Sequence, residues 1–418
     1  MTAPISLEER SVGGQRVFTA RNGGELLGWV VVDSTVHGTA RGGLRLVPDL
    51  ELDEVRDAAR AMTFKYGLLG LPQGGAKAGV RGDPEASLET RRARLLEFGR
   101  VIAPLLRARR YVPDADMGTR GDDMRWLMTN LGLPVRHREW RDVRSGEHTA
   151  RTVVGAAEAA LAHAGLEWKD ARVAVEGFGA VGRSFALYAV ERGARVIAIS
   201  TSRGAVHDAL GLDVRDLASR AQQLGSGIVD AVPGAQRWPR AALLALEVEL
   251  LVPCARRHSV HSGNVASVAA RVVCPGANDP LSPEAEQTLV GRESVCVPDF
   301  VSNSGGVLGG TMVFAGVAPA TITHTLEQGT ARFVAELLAE SDRSGRSPRE
   351  LAESLARERG AAVAQAVHRP SLGGRLRELG LDAHRRGWLP PSLVGALSRR
   401  YFEQRIPTLA DTASDTVS

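Results

Sequence analysis

Val173-Ala-Val-Glu-Gly-Phe-Gly-Ala-Val-Gly182 joins an apolar run to glycines spaced Gly-x-Gly-x-x-Gly. The run predicts a strand over 171–176, and the residues after the turn predict a helix over 180–192. In that context Gly177 permits a tight turn, Gly179 lets backbone approach a pyrophosphate, and Gly182 lets helix and strand pack closely. Phe178, Ala180 and Val181 complete the loop, and phosphates would rest on the helix N-terminus, where free N–H groups and the dipole favour negative charge. The motif therefore reads as dinucleotide-binding rather than as a merely structural turn. A second strand over 195–200 completes a βαβ unit, which implies a parallel sheet with helices on its faces. This strand ends Ser200-Thr201-Ser202-Arg203, with no acid to hold a ribose 2′-hydroxyl. Thr201 and Arg203 leave room for a 2′-phosphate, a lean to NADP over NAD within NAD(P). A polar, solvated loop accounts for the same residues equally well.

Working outward, a helix is predicted over 152–164, with short strands at 250–252, 271–274 and 294–297. Residues from about 326 to 404 are expected to be helical, and the polar stretch 408–418 to be a disordered tail. Upstream, residues 26–32 read as a strand, 43–47 as a further apolar stretch, and 52–69 and 87–108 as helices. Residues 73–79 read as a glycine-rich loop, and 111–118 as a strand running into a loop. The expected fold class is α/β: an N-terminal α/β domain over 1–148, then a Rossmann-like domain over 149–384 with C-terminal helices.

The chain's 418 residues exceed one hydrophobic core, and 44% apolar with 24% charged residues is an ordinary globular balance. Its 52 basic residues face 48 acidic ones with no basic tract, which reads as a mixed solvated surface rather than a nucleic-acid site. No run approaches the ~18 apolar residues of a membrane span. The N-terminus is too polar for a secretory signal. Cys254, Cys274 and Cys296 show neither CxxC spacing nor partnering histidines. A reduced cytoplasm fits better than a disulfide framework, and no metal site is expected.

Only three of the basic residues are lysines: Lys65, Lys77 and Lys169. Arginine stays charged at any physiological pH, whereas a buried lysine can lose its proton and act as a base. Lys169 lies in an exposed-looking turn. Lys65, at a helix end, suits a cation for a carboxylate, or is a surface lysine. Lys77, among glycines that let a substrate come close, suits a base with a depressed pKa. Asp116, beside Gly118, suits a fixed functional carboxylate or a loop N-cap.

Taken together, these segments resemble the glutamate/leucine/phenylalanine/valine dehydrogenase family. The matching stretches begin with Ala40-Arg-Gly-Gly-Leu-Arg45, Met62-Thr-Phe-Lys65 and Gly70-Leu-Pro-Gln-Gly-Gly-Ala-Lys77. They continue with Pro113-Asp-Ala-Asp-Met-Gly-Thr119, Thr152-Val-Val-Gly155, the 177–182 turn, Gly276-Ala-Asn278 and Val297-Pro-Asp-Phe-Val-Ser-Asn-Ser-Gly-Gly306. They follow the family's order over roughly residues 15–310, in a register closest to hexameric glutamate dehydrogenases. The resemblance implies NAD(P)-dependent oxidative deamination of an L-amino acid to a 2-oxo acid and ammonium by a homo-oligomer, a hexamer foremost. It makes the N-terminal α/β domain over 1–148 the substrate and oligomerisation domain, and packs a C-terminal helix over about 385–407 back on it. It places Lys65 on the substrate α-carboxylate, Gly74 and Gly75 beside the substrate, Lys77 as the base activating water, and Asp116 as the proton carrier. Thr152, Asn278 and Asn303 match positions that contact nicotinamide or its ribose.

Five residues depart from the glutamate pattern. Arg41 stands for the lysine that holds the side-chain carboxylate, Gly310 for a serine, Tyr66 for an asparagine, Pro275 for an acid and Ser304 for an alanine. Arg41 keeps the charge and Gly310 lacks the hydroxyl, so the two specificity positions pull in opposite directions. Glutamate leads narrowly over an apolar or aromatic amino acid. A catalytically idle nucleotide or amino-acid sensor is the rival from another class, opposed by the presence of Lys65, Lys77 and Asp116.

Overall fold

Two glycine pairs, Gly13-Gly14 and Gly23-Gly24, take φ values of 58–85°. Such two-residue turns match strand twist, and they fold the N-terminus into a meander of β1 (Ser6–Val12), β2 (Gln15–Asn22) and β3 (Glu25–Val32). The sequence reading found only β3. As an edge strand β1 exposes Glu8, Glu9 and Arg10 and carries no alternating apolar signal. β5 (Gly74–Arg81) runs antiparallel to β3 and parallel to β4 (Ala40–Val47), with β6 (Tyr111–Ala115) beyond, in the order β1-β2-β3-β5-β4-β6. Helix α1 (Leu52–Leu68) covers one face, setting Val55 and Ala59 on Trp29 and Val31. Helices α2 (Leu88–Arg107) and α3 (Gly121–Asn130) cover the other, where Phe98, Ile102 and Leu127 meet Leu44, Ala78 and Val80.

The glycine-rich stretch 73–79 is therefore a central strand, not a loop. Its glycines serve packing: a Cβ on Gly75 would lie 2.3 Å from the Thr63 backbone nitrogen, and one on Gly79 2.6 Å from Leu50. Removing those side chains lets α1 descend onto β5.

The second sheet has the order β10-β9-β8-β7-β11-β12-β13. Its parallel strands are β7 (Arg172–Glu176), β8 (Arg195–Thr201), β11 (Leu250–Pro253), β12 (Val272–Val273) and β13 (Val295–Cys296). β9 (Gly204–His207) and β10 (Gln236–Trp238) extend it antiparallel. Around it lie α4 (Ser145–His163), α5 (Ala180–Glu191), α6 (Val214–Leu224), α7 (Pro283–Val290), α8 (Asp299–Ser302), α9 (Gly305–Phe314), α10 (Pro319–Ser344) and α11 (Pro348–His368). The strand order reverses between β7 and β11, the switch point where such sheets open a crevice. α4 starts seven residues before the expected 152, because its first two turns carry the polar sequence that meets α5; a Cβ on Gly146 would lie 2.7 Å from Ala180 Cβ. Helix likewise resumes at 299, not 326: the glycines of α9 hide a helix that packs backbone-close on α4.

The computed structural model describes residues 5–135, 144–368, 379–384 and 386–409, so tail residues 410–418 fall outside the description. The C-terminal helix Pro391–Glu403 is followed by Arg405, whose Nη1 donates to Gly70 O at 2.5 Å, tying this segment to the end of α1. Among the described residues no helix is long and apolar enough to cross a membrane.

α1 and α11 cross at Gly67, where an added Cβ would lie 2.2 Å from Ala356 O. On a free helix surface Gly→Ala stabilises by about 0.5–1 kcal/mol; in this crossing overpacking wins. Gly67→Ala is expected to cost about 1–3 kcal/mol by urea unfolding. A stabilised variant would show that the helices do not meet there.

Candidate active site

Strand alternation puts Arg41, Gly43 and Arg45 of β4 on the α1 face of the first sheet, with Lys77 of β5. Asp116 follows β6 and turns onto the same face, fixed by Thr119: the Asp116 N–H donates to Thr119 Oγ1 at 2.9 Å, and that hydroxyl donates to Leu44 O at 2.8 Å. Gly43 clears the space, since a Cβ there would lie 2.7 Å from Asp116 Cβ. Lys77 Nζ lies 2.6 Å and Arg45 Nε 3.1 Å from Asp116 Oδ2. Arg45 also pairs with Glu54 on α1. Four charges thus alternate in sign through a buried line from Glu54 to Lys77.

Burial lowers the Lys77 pKa; Asp116 pulls it back up, Arg45 pushes it down again, and the net result is below the ordinary lysine value. Burial also works against the Asp116 carboxylate, but Lys77 and Arg45 outweigh it and hold this group well below the usual range. Lys65, in the last turn of α1, is buried and donates to Asn278 Oδ1 of the second half at 2.7 Å. Burial, opposed by Asp299 and deepened by Lys77, lowers its pKa to about 8.

On the other wall, Asn303 Nδ2 donates to Ala277 O at 2.8 Å and to Asn278 Oδ1 at 3.1 Å. Asn303 Oδ1 is buried with no protein partner, so this acceptor is left for a donor from outside the chain. The glycine turn lies at the switch point. Gly177 has φ 93°, and a Cβ there would lie 2.8 Å from Ala255 backbone; one on Gly182 would lie 2.0 Å from Gly177 O. Above Gly179, by contrast, there is nothing within 4 Å, and α5 has no side-chain cap. Phe178 N donates to Ser200 O at 2.7 Å, and Ala180 and Val181 open the helix. Open space over uncapped helix N–H groups, with the orphaned Asn303 oxygen nearby on the same cleft wall, fits a dinucleotide.

Other anticipated residues are placed differently. Thr152 is fully buried, its hydroxyl donating to Thr149 O at 2.9 Å and accepting from Gly305 N at 3.0 Å. Half-buried Thr149, one turn earlier, carries its hydroxyl beside Gly306 instead. The room above Gly74 and Gly75 is filled by Ser34, Thr35 and Thr63. Arg41 is held side-on by Asp114, Nε–Oδ2 2.5 Å and Nη2–Oδ1 2.7 Å. Tyr66 points into the core. At the end of β8, Thr201 Oγ1 donates to Ser226 O at 2.7 Å, and Arg203 Nε lies 3.1 Å from Asp230, which Arg237 also engages. Sequence reasoning missed Arg45, Glu54, Thr119 and Thr149. Period-2 alternation along Arg41–Arg45 was the available signal for Arg45, and nothing local pointed to Glu54.

Two family models match the chain: the Glu/Leu/Phe/Val dehydrogenase dimerisation domain over residues 16–132, and Glutamate/Leucine/Phenylalanine/Valine dehydrogenase over 143–366. A glutamate dehydrogenase of Thermotoga maritima is 36% identical over 317 residues, 73% of each chain. An NADP-specific glutamate dehydrogenase A1 of Halobacterium salinarum is 32% identical over 65% of this chain and 68% of that one. An NAD-specific glutamate dehydrogenase of Peptoniphilus asaccharolyticus is 32% identical over 67% and 70%. Among solved structures, the hetero-hexameric glutamate dehydrogenase of Thermus thermophilus, in a leucine-bound form, superposes with a TM-score of 0.71 at 27% identity, covering 87% of this chain and 89% of that one.

Asp116→Asn leaves the buried Lys77 without its anion and Arg45 with Glu54 alone, and should cost about 3 kcal/mol or more of stability in urea unfolding. Lys77→Met should cost less, because Asp116 keeps Arg45. Equal losses would mean that Asp116 is not the keystone of the cluster.

Proposed function

This chain belongs to the glutamate/leucine/phenylalanine/valine dehydrogenase family, and from that membership we propose that it catalyses reversible NAD(P)-dependent oxidative deamination of an L-amino acid, glutamate foremost, to a 2-oxo acid and ammonium. The observation that carries this reading is the meeting of Lys65, Lys77 and Asp116 in one buried cleft that Lys65 closes through Asn278. We take residues 1–148 with the C-terminal helix as the substrate and oligomerisation part, and 149–384 as the cofactor part. The working form we take is a cytoplasmic homo-oligomer, a hexamer in size like the hetero-hexameric Thermus thermophilus enzyme.

Gly177–Gly182, with Asn278, Asn303, Thr201 and Arg203, would hold the dinucleotide; when bound, its nicotinamide takes hydride from the amino acid. Thr149 is better placed than Thr152 for a contact there. Lys65 binds the α-carboxylate and orients Cα. Asp116, 2.6 Å from Lys77, takes the proton from the substrate ammonium and keeps it until the amine leaves. The two groups titrate as one system: when Lys77 gives up its proton, the attraction that holds Asp116 acidic falls, and the carboxylate becomes basic enough to carry a proton. Neutral Lys77 then removes a proton from water as the oxygen adds to the iminium carbon, and Asp116 returns a proton to the leaving amine. The β8 end offers arginine and no acid, which supports NADP over NAD. Arg203 is already shared with Asp230, so the preference is small.

Purified protein is tested at 340 nm with ammonium, NADH or NADPH, and 2-oxoglutarate, branched-chain or aromatic 2-oxo acids. Ammonium-dependent oxidation is expected, fastest with 2-oxoglutarate and NADPH; silence across the panel with nucleotide binding intact favours the idle homologue. Lys77→Ala should lose turnover by about a thousandfold or more while still binding cofactor. Wild-type-like rates in that variant would remove Lys77 from the chemistry. Lys65, with its pKa lowered to about 8, loses its cation as pH rises through that value. KM for the oxo acid should climb above pH 8 by up to about tenfold per unit, and a KM flat to pH 9.5 would contradict a carboxylate on Lys65.

A further inference from the structure

Arg41 and Asp114 lie outside the lysine–aspartate cluster but on the same sheet face. Arg41 is one strand repeat, about 6–7 Å, from Gly43, which borders Asp116. Asp114 stands two residues before Asp116 on the neighbouring strand, β6. Its carboxylate accepts from Arg41 Nε at 2.5 Å and Nη2 at 2.7 Å, a side-on bidentate pair. Both side chains keep about a third of their surface exposed, 34% and 37%, so the pair is not sealed in the core.

We propose that Asp114 is a specificity-determining residue: by occupying Arg41 it makes the side-chain subsite electroneutral and weakens discrimination in favour of an acidic side chain. The proposal rests on the dehydrogenase reading above. A lone guanidinium would attract a side-chain carboxylate and repel no apolar group. With Asp114 in place, the same carboxylate meets an anion a few ångströms from its cation, and the side-on Nε/Nη2 edge of the guanidinium is already taken. An uncharged side chain is indifferent to both. The departure at Arg41, which keeps a cation, is then offset by Asp114, so the subsite holds charge without net charge.

The test compares kcat/KM for 2-oxoglutarate with that for 4-methyl-2-oxopentanoate, with ammonium and the preferred cofactor, in wild type and Asp114→Asn. The ratio is expected to rise about tenfold, mainly through KM for 2-oxoglutarate, and to fall in Arg41→Leu. An unchanged or lower ratio in Asp114→Asn overturns the proposal, because Asp114 would then be absent from the subsite or support Arg41 within it. Should that variant not fold, calorimetry on the wild-type protein with cofactor decides. Glutarate and pentanoate should bind within about tenfold of each other, and a wider preference for glutarate overturns the proposal. Absence of turnover with every oxo acid strikes the dehydrogenase reading itself, while the calorimetric comparison still reads the charge at Asp114.

Discussion

The constraint on which this structure turns is the burial of the Lys77 ammonium. Taking a charge out of water costs several kcal/mol unless an opposite charge meets it in good geometry. Asp116 does so at 2.6 Å, but Asp116 is then itself a buried carboxylate that Arg45 shares, and Arg45 in turn needs Glu54. The requirement propagates through β5, the end of β6, β4 and α1 in succession. The seating of α1 on the sheet is thus set by charge as well as by the apolar contacts of Val55 and Ala59. Lys65 is treated differently. Its direct partner is a neutral amide, with Asp299 only at longer range, and burial lowers its pKa to about 8.

Glycine makes the second condition possible, which is close approach of backbone. Gly75 and Gly79 admit α1 to β5, Gly67 admits α11 to α1, and Gly305 admits α9 to α4. Each lies where a methyl group would strike main chain or a packed side chain. Small residues at these positions bring the two sheets' functional edges close enough for one lysine side chain to span the cleft.

The sequence carried the α/β class, the βαβ unit and the identity of the lysine pair plainly, because those depend on local period and on residue type. It misled where one residue type serves two ends. Glycines at 73–79 look like a loop when read for flexibility, and form a central strand when the space they vacate is filled from outside. The same ambiguity hid α9. The meander of β1 and β2 escaped because edge exposure erases alternation, although its two Gly-Gly turns were legible as hairpin signals. Thr152 and Thr149 show the limit at the site itself. Three residues apart on one helix, both offer a hydroxyl, and the packing of α9 seals Thr152 while leaving Thr149 half-buried beside Gly306.

The Lys65–Asn278–Asn303 chain also explains why the site belongs to neither half alone. Asn278 Oδ1 accepts from a lysine of the first half and from Asn303 of the second, while Arg257 pairs with Asp57 across the same junction and with Asp279 on its own side. An amide oxygen is a weaker partner for an ammonium than a carboxylate is. A carboxylate bound at Lys65, as the proposed function requires, would compete with Asn278 for the ammonium and favour its charged form. The shared Asn278 oxygen thus makes the lysine of the first half and the Asn303 wall of the second parts of one hydrogen-bonded site.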